Sequence, residues 1–125
     1  MNALEMARTA YSSAAAPIRT HQSTEFDAFA QITSRIKSAV SRGKIGFSDL
    51  AAALHDNRKL WSLLAADVAD DGNALPRQLR AQIVYLAEFT ILHTAKVLSG
   101  DATAEVLVDI NMSVMRGLRQ QGGAL

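Results

Sequence analysis

The sequence predicts an all-α fold: a helical bundle of about five helices, with a four-helix core and a peripheral N-terminal helix. Three observations carry that expectation. Apolar residues fill 49% of the 125 positions while aromatics fill only 6%, and the alanine- and leucine-rich balance favours helix over strand. In each long segment apolar residues recur at spacings of three and four. No segment alternates with period two for long enough to make a convincing strand. The length fits one domain, residues 1–125, and no linker, internal repeat or low-complexity tract divides it.

The first helix is expected over about residues 2–15, where Leu4, Ala7, Tyr11 and Ala14 make one weak apolar face before Pro17 ends it. Residues 1–22 then form an N-terminal helix and loop, either packed outside the core or mobile. The second helix runs from about Ser23 to Arg42. Ser23 can serve as its N-cap, Glu25 and Asp27 suit its positive end, and Phe26, Phe29, Thr33, Ile36 and Val40 form its stripe. Gly43 can take the left-handed conformation that stops it. The third helix starts at Ser48, a good N-cap, with Asp49 in its first turn. Its seam, Leu50, Leu54, Asn57, Trp61, Leu64 and Val68, steps by four and three and has one polar member. Asp70-Asp71-Gly72-Asn73 is turn chemistry and closes it.

The fourth helix starts near Pro76, runs to about Ser99 and stops at Gly100. Leu79, Ile83, Leu86, Thr90, His93 and Val97 repeat the seam spacing. Val84, Tyr85, Phe89, Ile91, Leu92 and Leu98 make its other faces apolar too. Such a helix is central to a bundle or carries a second contact surface. The fifth helix covers about Thr103 to Gln120 with the stripe Leu107, Ile110, Val114 and Leu118, and residues 121–125 are expected to fray. Short connections make consecutive helices antiparallel neighbours.

Composition narrows the function classes. Thirteen basic against 12 acidic residues leave a formal charge of +1, which gives no footprint of a general nucleic-acid or membrane binder. The absence of cysteine excludes disulfides, thiolate metal sites and a cysteine nucleophile. Glu5 and Arg8 interrupt the N-terminus where a signal peptide needs an apolar core, and no window approaches the roughly 18 apolar residues of a membrane helix. A cytosolic protein is expected. Asn111-Met112-Ser113 matches a glycosylation sequon, which without a secretory signal carries no meaning.

No catalytic or cofactor-binding constellation emerges. His21, His55 and His93 lack metal-ligand spacing. His93 reads as a half-buried histidine bonded to backbone or side chain, and His55 as solvated. Asp67, Asp70 and Asp71 read as a solvated cap and turn, since a calcium loop would need further oxygens at fixed offsets. Gly43 and Gly46 do not make a phosphate cradle. The pairs Arg77/Arg80 and Arg116/Arg119 read as surface charge, without the interleaved aromatics that single-strand RNA readers use. The expectation is a protein that is not an enzyme and takes no cofactor or metal.

Asn57 interrupts an apolar seam, and three readings stand open. It can fix register, as a seam asparagine does in coiled coils. It can bond to the start of the fourth helix or to the fifth. It can lie in a groove where a partner helix docks. A buried amide without a partner costs about 1–3 kcal/mol, so satisfaction is expected. Trp61 reads as core, packed beneath Asn57, although tryptophan is also enriched at binding centres.

The stretches ALHDNRKLWSLLAADVADDGNALPRQLRAQIVYLAEFT, HTAKVLSG and LVDINMSVMRGL resemble the FlaF family of alphaproteobacterial flagellar regulators. The resemblance runs in order through Asn57, Leu60 and Trp61, then Asn73, Leu75 and Pro76. It continues through Leu79, Arg80 and Ala81, then Glu88 and Phe89, and ends with Ile110, Asn111, Met115, Gly117 and Leu118; Tyr11 and Glu25 fit the looser N-terminal part. It implies a cytosolic factor, without enzymatic activity or cofactor, that binds flagellin as a secretion chaperone. The alternative it implies is a post-transcriptional regulator acting with FlbT on flagellin messenger RNA. A chaperone for flagellin's amphipathic terminal helices needs apolar anchors on a helical surface. The expected partner-binding residues are Val84, Tyr85, Phe89 and Leu92, with Asn57 and Trp61. No direct nucleic-acid or membrane contact is expected, and the first helix can cover the groove when it is empty.

Overall fold

The computed structural model describes the backbone of residues 21–123 and the side chains of residues 24–118. Four α-helices follow in order: α1 (His21–Ser41), α2 (Phe47–Ala69), α3 (Arg77–Leu98) and α4 (Glu105–Gly123), with a short 3-10 turn at Gly43–Gly46. They correspond to the second to fifth expected helices. The first expected helix, residues 2–15, lies outside the described residues.

Helix ends follow local chemistry, with two corrections. Gly43 has φ 62°, the left-handed value foreseen for it, and Gly100, the other expected stop, has φ 83°. At the end of α3 the Asp101 N–H donates to the Lys96 carbonyl (2.8 Å) and the Gly100 N–H to the Val97 carbonyl (3.1 Å), the paired bonds of a Schellman stop. Pro76 precedes α3, and its carbonyl accepts the Arg80 N–H at 3.0 Å. The two serine caps are not formed: Ser23 lies inside α1 and Ser48 inside α2. The 3-10 turn leads straight into α2, so Gly46, which has no side chain, occupies the position expected for Ser48. Gly46 is buried, and a Cβ there would overlap the Ala39 carbonyl oxygen. The C-terminal helix continues to Gly123, three residues past the expected end.

The α2–α3 connection is tied down by side chains. The Gly72 N–H donates to Asp70 Oδ1 (2.9 Å), and the Leu75 N–H donates to Asn73 Oδ1 (2.9 Å). Asn73 Nδ2 returns to the Asp67 carbonyl at 3.2 Å, which also accepts the Asp70 N–H at 3.3 Å, so the last turn of α2 is capped from both backbone and side chain.

Successive pairs give the antiparallel register of α1 and α2. Arg42 meets Asp49 and Arg35 meets Asp56, each at 2.8 Å, and the Phe29 and Trp61 rings sit 5.5 Å apart, edge to face. The ion pairs are exposed and worth at most about 1 kcal/mol each; burial of the rings contributes more. α1 packs on α2 and α4, and α3 packs on α2 but meets α4 only sparsely.

The core divides into two apolar clusters. One holds Ile32, Ile36, Ala53, Leu54, Val97, Ala104 and Leu107. The other holds Phe29, Trp61 and Ala87, flanked by Leu64, Ile83, Leu86, Val114 and Leu118. Two stripe assignments need correction. Val40 is 51% exposed, and Ile32 and Ala39 take the buried positions of α1 instead. Leu79 is 40% exposed because the space beside it, between α3 and α4, is open.

Candidate functional site

Between the two apolar clusters lies a polar layer to which every helix contributes. Thr33 comes from α1, Asn57 from α2, Thr90 and Thr94 from α3, and Asn111 from α4, all buried. Each falls between cluster residues of its own helix: Thr33 between Phe29 and Ile36, Asn57 between Leu54 and Trp61, Asn111 between Leu107 and Val114. Asn111 is the hub. Its Oδ1 accepts the Trp61 indole N–H at 2.9 Å, and its Nδ2 donates to Asn57 Oδ1 (2.8 Å) and Thr33 Oγ1 (3.1 Å). Asn57 is therefore joined to the fifth expected helix, not to the start of the fourth. Its satisfaction is only half complete, since among the described residues Asn57 Nδ2 has no hydrogen-bond partner, and neither has Thr90 Oγ1.

This corrects the site assignment of Asn57 and Trp61. Both are fully buried, because the layer draws them inward, so neither offers surface to a partner. They hold the bundle together. Asn111, which sequence reasoning notes as a sequon without meaning and as part of the family resemblance but not as a core residue, is the structural hub it misses.

The other four expected site residues lie on the side of α3 away from the core. Tyr85 is 66% exposed and Leu92 69%, two helical turns apart on one flank, with Ile91 exposed as well. Val84 and Phe89 are half-buried at its edges. The opposite face of α3 supplies Ala87, Thr90, Thr94 and Val97 to the interior. A helix whose inner face already fills the core, and whose outer face still carries Tyr85 and Leu92 around the exposed Glu88, exposes more hydrophobic surface than folding requires.

A second apolar feature lies where α3 and α4 diverge. A cleft of about 250 Å³ opens between the N-terminal half of α3 and the C-terminal half of α4. Leu64 and Val68 of α2 form its floor, Leu79 and Ile83 one wall, and Val114 and Leu118 the other.

The polar side chains singled out in the sequence have structural surroundings. His93 Nε2–H donates to the Thr103 carbonyl (2.9 Å) and its ring stacks on Phe89 at 5.3 Å, as expected for a half-buried histidine; His55 is exposed. Arg80 is drawn towards the α2–α3 turn, where its guanidinium reaches the Asp70 carbonyl at 3.4 Å. That separates it in role from the exposed Arg77. Arg116 donates to Ser113 Oγ on its own helix. Among the described residues no group of three or more histidine, aspartate or glutamate side chains could hold a metal ion, and no helix is long and apolar enough to cross a membrane.

The geometry defines a class first: among the described residues, an antiparallel four-helix bundle with a polar central layer and large apolar side chains exposed on the outer flank of one helix. The family model for "Flagellar protein FlaF" matches residues 7–118, nearly the whole chain, and the chain belongs to that family of flagellar proteins. No curated protein and no solved structure matches it.

Proposed function

We propose that this protein binds flagellin in the cytosol as a secretion chaperone, docking one of flagellin's terminal amphipathic helices along the outer flank of α3. The observation that carries the reading is the exposure of Tyr85 and Leu92 on a helix already committed to the core. An amphipathic helix laid along that flank buries its own apolar stripe and adds a further helix to the bundle. Shielded in this way, the segment does not pair with other flagellin copies before export. Membership in a flagellar family supports the choice of client. Occupied and empty forms present different surfaces, so occupancy can be read by a regulator of flagellin synthesis.

Calorimetric titration with monomeric flagellin, and with flagellin lacking either terminal helix, tests the proposal. Binding that disappears with one truncation, and that weakens about tenfold or more in Tyr85→Ser/Leu92→Ser, is the expected result. No heat from full-length or truncated flagellin, with the folded protein in the cell, overturns it and favours a regulator working through FlbT.

A further inference from the structure

The cleft between α3 and α4 lies at the end of the bundle where α1 begins. The antiparallel register places the start of α1, the end of α2, the start of α3 and the end of α4 together there. Glu25, one turn into α1, already lines the cleft. The twenty residues that precede His21 therefore join the bundle at the mouth of this apolar space.

We propose that the cleft is the docking site of this chain's own residues 2–15. Four observations select that occupant. The first is proximity: a segment tethered at the rim meets the cleft at millimolar effective concentration, an advantage no free ligand shares. The second is length. The apolar positions of the segment run from Leu4 to Ala14, roughly 15 Å in a helix, and the lining from Leu75 to Leu86 spans about the same distance. Residues 16–20, with Pro17, are enough to turn the chain back, since connections of 2–8 residues are usual between bundle helices.

The third observation is side-chain size. The expected stripe pairs two alanines, Ala7 and Ala14, with Leu4 and Tyr11, so half of its positions are small enough to enter a cleft of about 250 Å³. The fourth is charge. Carboxylates of Glu25 and Asp67 stand on the cleft lining, and the segment up to Thr20 carries two arginines, Arg8 and Arg19, against one glutamate, Glu5. Docked, residues 2–15 supplement the sparse contact between α3 and α4. The arrangement leaves the Tyr85–Leu92 flank uncovered, so it stands independently of what binds there.

The chain contains no cysteine, which permits a direct test in the full-length protein. Cysteines are introduced in pairs: Ala7→Cys or Ala14→Cys on the segment, with Gln82→Cys or Ser113→Cys at the rim, both exposed. Ala7→Cys with Gln31→Cys on α1, exposed and away from the cleft lining, is the control. Mild oxidation is expected to give a monomeric disulfide with at least one rim pair and none with the control. Disulfide-linked dimers would mean that a second copy fills the cleft, and no cross-link with any rim pair would mean that the segment does not visit it; either overturns the proposal. An independent readout is amide exchange in Leu4→Ser/Tyr11→Ser. Exchange of residues 79–86 is expected to rise several-fold while residues 50–57 stay unchanged, and equal rates at 79–86 also overturn it.

Discussion

At the scale of single residues, the side chain on which most depends is Asn111. Its carboxamide uses its oxygen and nitrogen in three bonds to three other residues, from α1 and α2. Asn111→Leu would strand the Trp61 indole N–H and the Asn57 carbonyl oxygen, and each buried orphan costs about 1–3 kcal/mol. Urea unfolding of that variant is therefore expected to show a loss of roughly 3 kcal/mol or more. Thr90 gives the opposite sign. Its hydroxyl is buried without a partner among the described residues, so Thr90→Val removes an unsatisfied group at nearly constant volume. Stability should hold or rise by up to about 1 kcal/mol; a clear loss in the same urea experiment would show that the hydroxyl is satisfied after all.

Asn111 also shows what is legible in the sequence and what is not. It lies four residues after Leu107 and three before Val114, so it fits the buried stripe as well as Ile110 does. Asn57 stands out because all its seam neighbours are apolar. Asn111 does not, because a neighbouring isoleucine fills the pattern. Two asparagines on seam positions of two helices are the signal for a paired layer. Periodicity alone cannot show it, because it ranks residues by hydrophobicity and gives a polar core residue no place.

At the scale of elements, the helices are readable because glycine, proline and acidic turns punctuate them. Gly43, Gly100 and the Asp70–Asn73 turn all act as their chemistry demands. The N-termini are less readable, since a serine is a cap only if its own backbone is extended as the helix begins. At the α1–α2 corner the preceding residues are already helical, and the close approach of Gly46 to Ala39 sets the geometry. Gly46→Ala should therefore cost more than a typical surface change, about 2 kcal/mol or more by strain and backbone shift. Thermal melts of Gly46→Ala beside a surface control such as Gln31→Ala check this; equal midpoints would show that the corner yields freely.

The flank of α3 is legible for the same reason that Asn111 is not. An excess of apolar residues on one helix is visible in composition, and Tyr85 and Leu92 do lie outside. Which helix faces touch across the bundle is not legible. Nothing in the spacing says that α3 leans on α2 and stands apart from α4.

At the scale of the whole molecule, that lopsided packing has consequences for stability and for binding. α3 is secured mainly along one side, so it should open before α1 and α2. Native-state amide exchange is expected to give α3 a lower opening free energy than α2, and uniform protection across both would contradict it. Charge is nearly balanced over the chain, so the proposed association with flagellin should depend little on salt. Affinity is expected to change less than about threefold between about 50 and 500 mM salt. A steep fall with salt would instead mark contact with a polyanion such as messenger RNA.

Trp61 is the only tryptophan in the chain, fully buried, with its ring edge to face on Phe29 and its N–H held by an amide oxygen. Its fluorescence therefore reports on a single place, the seam where the two halves of the interior meet. Emission should sit at the short-wavelength end of the protein range and shift red only when that seam admits water. A client lying along the Tyr85–Leu92 flank touches none of it. The protein thus carries its own optical gauge of core integrity, one that separates a binding event, which leaves the colour unchanged, from a loosening of the bundle, which does not.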